Sequence, residues 1–181
     1  MELFSVESRS WSCVPAHGSP PEQRHGHCLL SLGQSRLYLH GGMDGRTFFS
    51  TLYSIDLNEN PPRWKEYPSS SSQPMARAAH GAVAIESSST LFIFGGLSRS
   101  GQALNDTWSW SATNQQWTEI LCRSLPRSRL DFAYCLVQME NNEDQESKKI
   151  TSYMFVHGGT DTQGEVFDDC FLLRLTFDNA Q

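Results

Sequence analysis

Charge is scarce in this chain. Asp, Glu, Lys and Arg make up 19% of the 181 residues, while hydrophobic residues make up 38%. A solvated, disordered polypeptide has more charge and less apolar matter, so this chain is expected to fold around a core. Basic residues are the scarcer sign, with 14 Lys and Arg against 20 Asp and Glu, for a formal net charge of −6. That balance counts against general nucleic-acid binding and against electrostatic docking on an anionic membrane. No run of 18 apolar residues is present, so no spanning helix and no direct membrane insertion are expected. Met1–Ser10 has no basic stretch leading into an apolar one, and Asp178–Gln181 has no lipidation or retention signal. The five cysteines (Cys13, Cys28, Cys122, Cys135 and Cys170) form no C-x-x-C pair, which leaves a zinc knuckle or dithiol site without support. They are expected to be buried or half-buried free thiols in a reducing compartment, the cytosol. P-loops, serine-hydrolase elbows and HExxH helices are missing. No segment carries a sustained apolar stripe of helical period, so the chain reads as all-β.

What is present is a repeat. Three apolar runs each end in a diglycine: Leu37–Gly42, Leu91–Gly96 and Met154–Gly159. Trp11, Trp64 and Trp117 stand 53 and 53 apart, and Arg24, Arg77 and Arg129 stand 53 and 52 apart. Three independent markers thus share one period, the signature of a stacked architecture. The diglycines at 41 and 95 are 54 apart and those at 95 and 158 are 63 apart. The excess falls on Glu140–Lys149, a polar stretch that reads as a solvated loop lengthening one hairpin. Each repeat reads as four short strands. The first follows the arginine, the second ends at the diglycine, the third alternates and the fourth carries the tryptophan. Residues 1–19 then read as the last two strands of a preceding blade, and residues 20–68, 69–121 and 122–181 as three repeats.

The upstream arginine, the Gly-Gly, the aromatic on the next strand and the spaced tryptophan together resemble the kelch repeat, the blade of one class of β-propeller. The resemblance rests on Arg24, Gly41, Gly42, Tyr53 and Trp64, on Arg77, Gly95, Gly96, Trp108 and Trp117, and on Arg129, Gly158, Gly159 and Phe171. It implies all-β, kelch-type blades, each a four-stranded antiparallel sheet, in a partial, open propeller of about three blades plus a half blade. Ser128-Arg129-Leu130-Asp131, the acidic insert and Asp168-Asp169-Cys170 also resemble the C-terminal half of the family of Rab-nine effectors with kelch motifs. This closer likeness implies a non-enzymatic scaffold that binds a GTP-loaded Rab GTPase in endosome-to-trans-Golgi transport. Such a scaffold would be cytoplasmic and peripherally recruited to endosomal membrane. Other kelch proteins are substrate receptors of ubiquitin ligases, but no ligase-recruiting segment is visible here. The chain is expected to be a truncated product, fragment or splice form. It should make an open arc with Met1–Val14 at one edge and Phe167–Phe177 at the other.

Enzymes also occur on kelch propellers. A copper radical oxidase needs tyrosine, histidine and cysteine ligands about the axis, and no such spacing is present. An iron-binding Glu-x3-Asp-x3-His ladder begins at Glu165 and Asp169 but ends on Leu173. His25-Gly26-His27 places two rings on one strand face, but His80 recurs at the place of His27 without a partner, which favours an architectural role. No catalytic residue, metal or cofactor is therefore expected. His40 and His157 align with Phe94 and are expected to be packed inner-strand positions. The repeated arginines are expected to bond backbone carbonyls between blades, and Trp108 and Trp110 to fill blade-to-blade core. Binding is assigned to the loops behind the diglycines, Met43–Thr47, Leu97–Gln102 and Thr160–Glu165, with Asp44, Arg46, Arg99, Gln102, Asp161 and Gln163 as candidate contacts. The inter-blade loops Pro68–Arg77 and Cys122–Arg129 form a second set. Arg46, Arg99 and Arg127 are expected to lend these faces positive spots.

Overall fold

Short runs of β-branched and aromatic residues, cut by glycine turns, fold as sheets because each strand can bury one or both faces against a neighbour. The computed structural model describes residues 1–141 and 149–175. The strands are β1 (Glu2–Ser5), β2 (Ser10–Cys13), β3 (His17–Gly18), β4 (Cys28–Ser31), β5 (Arg36–His40), β6 (Leu52–Asp56), β7 (Arg63–Tyr67), β8 (Arg77–Ala78), β9 (Gly81–Ile85), β10 (Thr90–Ser98), β11 (Ala103–Ser111), β12 (Gln116–Ile120), β13 (Ala133–Asn141), β14 (Lys149–His157) and β15 (Cys170–Leu175). Among the described residues the one helical segment is a single 3-10 turn at Glu86–Ser88.

Blade one is the antiparallel sheet β4-β5-β6-β7, with β3 added in parallel on its outer edge. Blade two runs β9-β10-β11-β12, with β8 also paired to β10. Blade three is β13-β14-β15, and β1-β2 is a separate hairpin. Two expectations change. His17 and Gly18, assigned to the preceding blade, instead pair with Arg63 and Trp64 of blade one, because the link after the hairpin folds back along β7. The polar insertion is not all loop. The hairpin ladder runs out to Asn141↔Lys149, so strand pairing takes in both ends of the insertion, whose residues 142–148 lie outside the described residues. Residues 176–181, and with them Phe177, also lie outside.

The blades stack face to face. Tyr38, Leu52 and Tyr67 of blade one meet Leu91 and Trp110 of blade two, with Trp110 only 1% exposed. Trp108 packs beside it against Cys28, Ala82 and Ile93, so the two tryptophans are blade-to-blade core. On the other side of blade two, Val83, Ile85, Phe92 and Phe94 meet Phe132, Met154, Val156 and Leu175. Large aromatics in such layers each remove much apolar surface from water, which is the main stabilising contribution here.

The arginines join the blades, though not in the way expected. Each side chain serves its own blade: Arg24 donates to the Gly41 carbonyl, Arg77 to Gly95 and Arg129 to Gly158. The link between blades is made by the main chain. Gly42 N–H donates to the Arg77 carbonyl at 2.8 Å, and Gly96 N–H to the Arg129 carbonyl at 2.9 Å. One residue thus ties its own diglycine and the previous one. Glycine is required because these positions have φ from 63° to 101°, and a Cβ on Gly96 would lie 2.7 Å from both the Ala78 carbonyl and His80.

Candidate interaction site

Carboxylates complete two of the three arginine clamps. Arg77 is fully buried and makes a two-pronged ion pair with Asp106 at 2.7 and 2.6 Å. Arg129 does the same with Asp169 at 2.6 and 2.9 Å. Burial opposes ionisation of Asp106, yet the hydrogen bonds and charge of Arg77 win and leave its pKa below the usual carboxylate value. Asp169 is lowered by its bonds to Arg129. In blade one the corresponding strand residue is Thr51, and Arg24 instead stacks over Phe49 at 3.9 Å and Tyr53 at 5.4 Å. These clamps anchor the roots of the loops behind the diglycines.

Each loop is rigidified from within. Asp44 Oδ1 accepts the N–H groups of Arg46 and Thr47, and Asp161 Oδ1 accepts those of Gln163 and Glu165. These bonds hold both carboxyls below the ordinary range. In the middle loop the Ser98 hydroxyl takes that role, accepting the Gln102 N–H at 3.2 Å. Asp44 and Asp161, expected as partner contacts, thus commit one carboxylate oxygen to their own turns.

Gln102, Asp161 and Gln163 converge on an open cleft of about 660 Å³ between the loops of blades two and three, which Arg127, Glu165 and Phe167 also line. Asp44, Arg46 and Arg99 lie outside that lining; Asp44, Arg46 and Arg99 are exposed. Arg127 is not the free positive spot expected, because Glu165 pairs with it at 2.5 Å. Sequence reasoning passed over this pair because its members are 38 residues apart and belong to different segments.

Deeper in the stack, His40 Nδ1 and His80 Nε2 meet at 3.0 Å across the junction of blades one and two. Burial first, then nearby arginines, hold His40 neutral with a pKa of about 3. His40 is packed as expected, but His157 is exposed, because in the described structure no sheet lies beyond blade three. All five cysteines are free, but only Cys28 is buried. Its thiol donates to the His80 carbonyl at 3.0 Å, and burial pushes its pKa up to about 12. Cys135 and Cys170 are exposed because both lie on the outer face of blade three. His25 bridges to Met43, and among the described residues no three or more His, Cys, Asp or Glu side chains are grouped to hold a metal ion.

The fold, the clamps and the repeat agree with sequence relatives. The family described as the KLHDC2/KLHL20/DRC7 Kelch-repeats domain matches residues 1–179. The chain belongs to the kelch-repeat family. It is 30% identical to the Rab9 effector protein with kelch motifs of Mus musculus, over 95% of this chain and 52% of that protein. It is 30% identical to the Rattus norvegicus protein of the same name, over 95% of this chain and 54% of that one. The kelch chain therefore spans about half the length of these relatives. Adagio protein 3 of Arabidopsis thaliana is 33% identical over 70% of this chain and 20% of its own. Among solved structures, YjhT superposes with a TM-score of 0.70 over 98% of this chain and 50% of its own, at 18% identity, a likeness of fold alone.

Proposed function

We propose that this kelch chain is a non-enzymatic scaffold that binds a GTP-loaded Rab GTPase in endosome-to-trans-Golgi transport. It would act in the cytoplasm, drawn to endosomal membrane by that partner. One observation carries the reading: the strands are spent on blade packing, while the self-capped loops at the blade two–three cleft leave Gln102, Gln163 and the Arg127–Glu165 pair open to a partner. The names of the mouse and rat relatives supply the partner class. Among the described residues no helix is long and apolar enough to cross a membrane. The test is capture of the chain on immobilised Rab9 loaded with GTP or GDP. Retention on the GTP form, reduced by Gln163→Arg, is expected. Equal or absent retention on both forms would overturn the proposal.

A further inference from the structure

The stretch that links blade two to blade three is tied down at its end and loose before it. Asn105 Nδ2 donates to the Pro126 carbonyl at 3.2 Å, and Arg129 is locked in its clamp. Among the described residues no main-chain N–H from Leu121 to Ser128 donates a hydrogen bond, and the Ser124 hydroxyl has no partner. Leu121 and Leu125 are 86% and 47% exposed, and Cys122, Arg123 and Ser124 are exposed with them. A loop without ladder bonds opens at little cost, so a modifying enzyme can draw it into an active site.

The repeat shows that this exposure belongs to the position and not to the free edge of β15. Ser124 stands five residues before Arg129, as Ser72 stands five before Arg77. Ser72 is exposed although blade two, into which its loop leads, carries its strands out to β12. What sets the later loop apart is charge. Between Pro68 and Ala76 there is no basic residue, whereas Ser124 lies between Arg123 and Arg127. An extended, accessible serine with cations on both sides suits a protein kinase that selects basic segments. Arg127 is also half of the ion pair with Glu165 at the loop cleft, the two side chains being 66% and 55% exposed. A pair so open to water contributes little and exchanges readily.

We propose that Ser124 is a phosphorylation site and that its phosphate governs the loop cleft by taking Arg127 from Glu165. The γ-phosphoryl group of ATP passes to Ser124 Oγ, ADP leaves and the hydroxyl proton goes to solvent. The phosphoserine carries a charge of about −1.5 to −2 and three acceptor oxygens, against the single charge of Glu165. Ser124 and Arg127 are at most about 11 Å apart along the chain, which a phosphoserine and an extended arginine span together. Glu165, left without its cation, then lines the cleft beside Asp161, and the two carboxylates repel. The effect on a partner rests on the Rab-binding reading above, whereas the site itself does not.

The full 181-residue chain, incubated with a cytosolic extract and MgATP and mapped by mass spectrometry, tests the site. Phosphate is expected on Ser124 and not on Ser72, and Ser124→Ala should remove most of the incorporation while keeping the circular dichroism spectrum. A chain translated with phosphoserine at position 124 is then titrated by phosphorus NMR. Its second pKa should lie below the ordinary value of about 6 and rise again in Arg127→Gln. Retention of that chain on GTP-loaded Rab9 should fall about tenfold. No phosphate on Ser124, a pKa indifferent to Arg127→Gln, or retention untouched by the phosphate would each overturn the proposal. An unmodified chain that Rab9 does not retain would instead sink the Rab reading, while phosphate on Ser124 and the Arg127-dependent pKa would still uphold the site.

Discussion

Acid should loosen the junction between blades one and two through a single pair of side chains. His40 and His80 are buried and touch at 3.0 Å, and His40 Nε2 and His80 Nδ1 find no hydrogen-bond partner among the described residues. The fixed charges acting on the pair are cationic, Arg77 and Arg24 on His40 and Arg77 on His80, and His80 is further opposed by His40 and His27 whenever these take up a proton. Burial and these cations hold His40 at about 3 and His80 well below its ordinary value. In the unfolded chain both titrate near 6.5. Below roughly pH 6.5 the unfolded chain therefore takes up protons that the folded chain refuses, and stability falls as pH drops toward 3. At pH 5 the loss from His40 alone is about 2 kcal/mol, and His80 adds to it.

The repeat provides the control. Phe94 and Phe132 hold the equivalent places at the next junction, with ring centroids 5.5 Å apart. His40→Phe with His80→Phe should therefore preserve packing and remove the titration. Urea unfolding followed by tryptophan fluorescence at pH 7.5 and 5.0 measures the difference. With a slope of about 2 kcal/mol per molar urea, the unsubstituted chain's midpoint should drop by at least about 1 M more than the variant's. Asp106 and Asp169, held below their usual pKa, stay ionised at both pH values and do not mimic the effect. Parallel pH dependence in the two proteins would refute the reasoning.

Other consequences can be read in the same unfolding assay. Arg77→Ala strips a fully buried guanidinium from Asp106 and Gly95 and should cost about 3–5 kcal/mol. Arg24→Ala, with no carboxylate to strand, should cost about 1 kcal/mol; equal losses would deny the carboxylate its role. Alanine at Gly41 or Gly95 should destabilise more than at Gly158. The first two would press a Cβ to 2.7 and 2.9 Å from the next blade's arginine carbonyl, whereas the nearest atom to the third is 3.2 Å away. At the loop cleft, Arg127→Glu should weaken binding to GTP-loaded Rab9 while moving the urea midpoint little, since an exposed ion pair contributes about 0–1 kcal/mol.

The period, the strands and the packing role of Trp108 and Trp110 were legible because each recurs at a fixed spacing. The clamp carboxylates were legible in principle, since Asp106 and Asp169 both stand eleven residues after the first glycine of their repeats. In blade one the turn is a residue shorter and the level position is Thr51, ten residues after Gly41, which breaks the series and hides it. The His40–His80 contact was not legible, because it joins strands of different blades and its counterpart is a pair of phenylalanines. The loop cleft was half visible. Gln102, Asp161 and Gln163 were picked as loop residues, but the Arg127–Glu165 pair that shapes their surroundings depends on how two blades sit side by side.

Burial in this architecture is a property of the neighbouring blade as much as of the residue. His40, Phe94 and His157 occupy one repeat position. The first is 3% exposed, the second 0%, and the third is open to solvent. Their own sheets are built alike; what differs is whether another blade lies across them. A stack of this kind gains stability junction by junction, so each added blade buries a face that the previous one must otherwise leave wet. The same logic separates the two kinds of position. Inside the junctions a substitution disturbs two blades at once, through an arginine carbonyl or a stacked ring. In the loops beyond the diglycines, turns held by their own Asp or Ser caps let Gln102 and Gln163 change without disturbing the stack. Partner choice can therefore vary at the cleft while the scaffold beneath it stays the same.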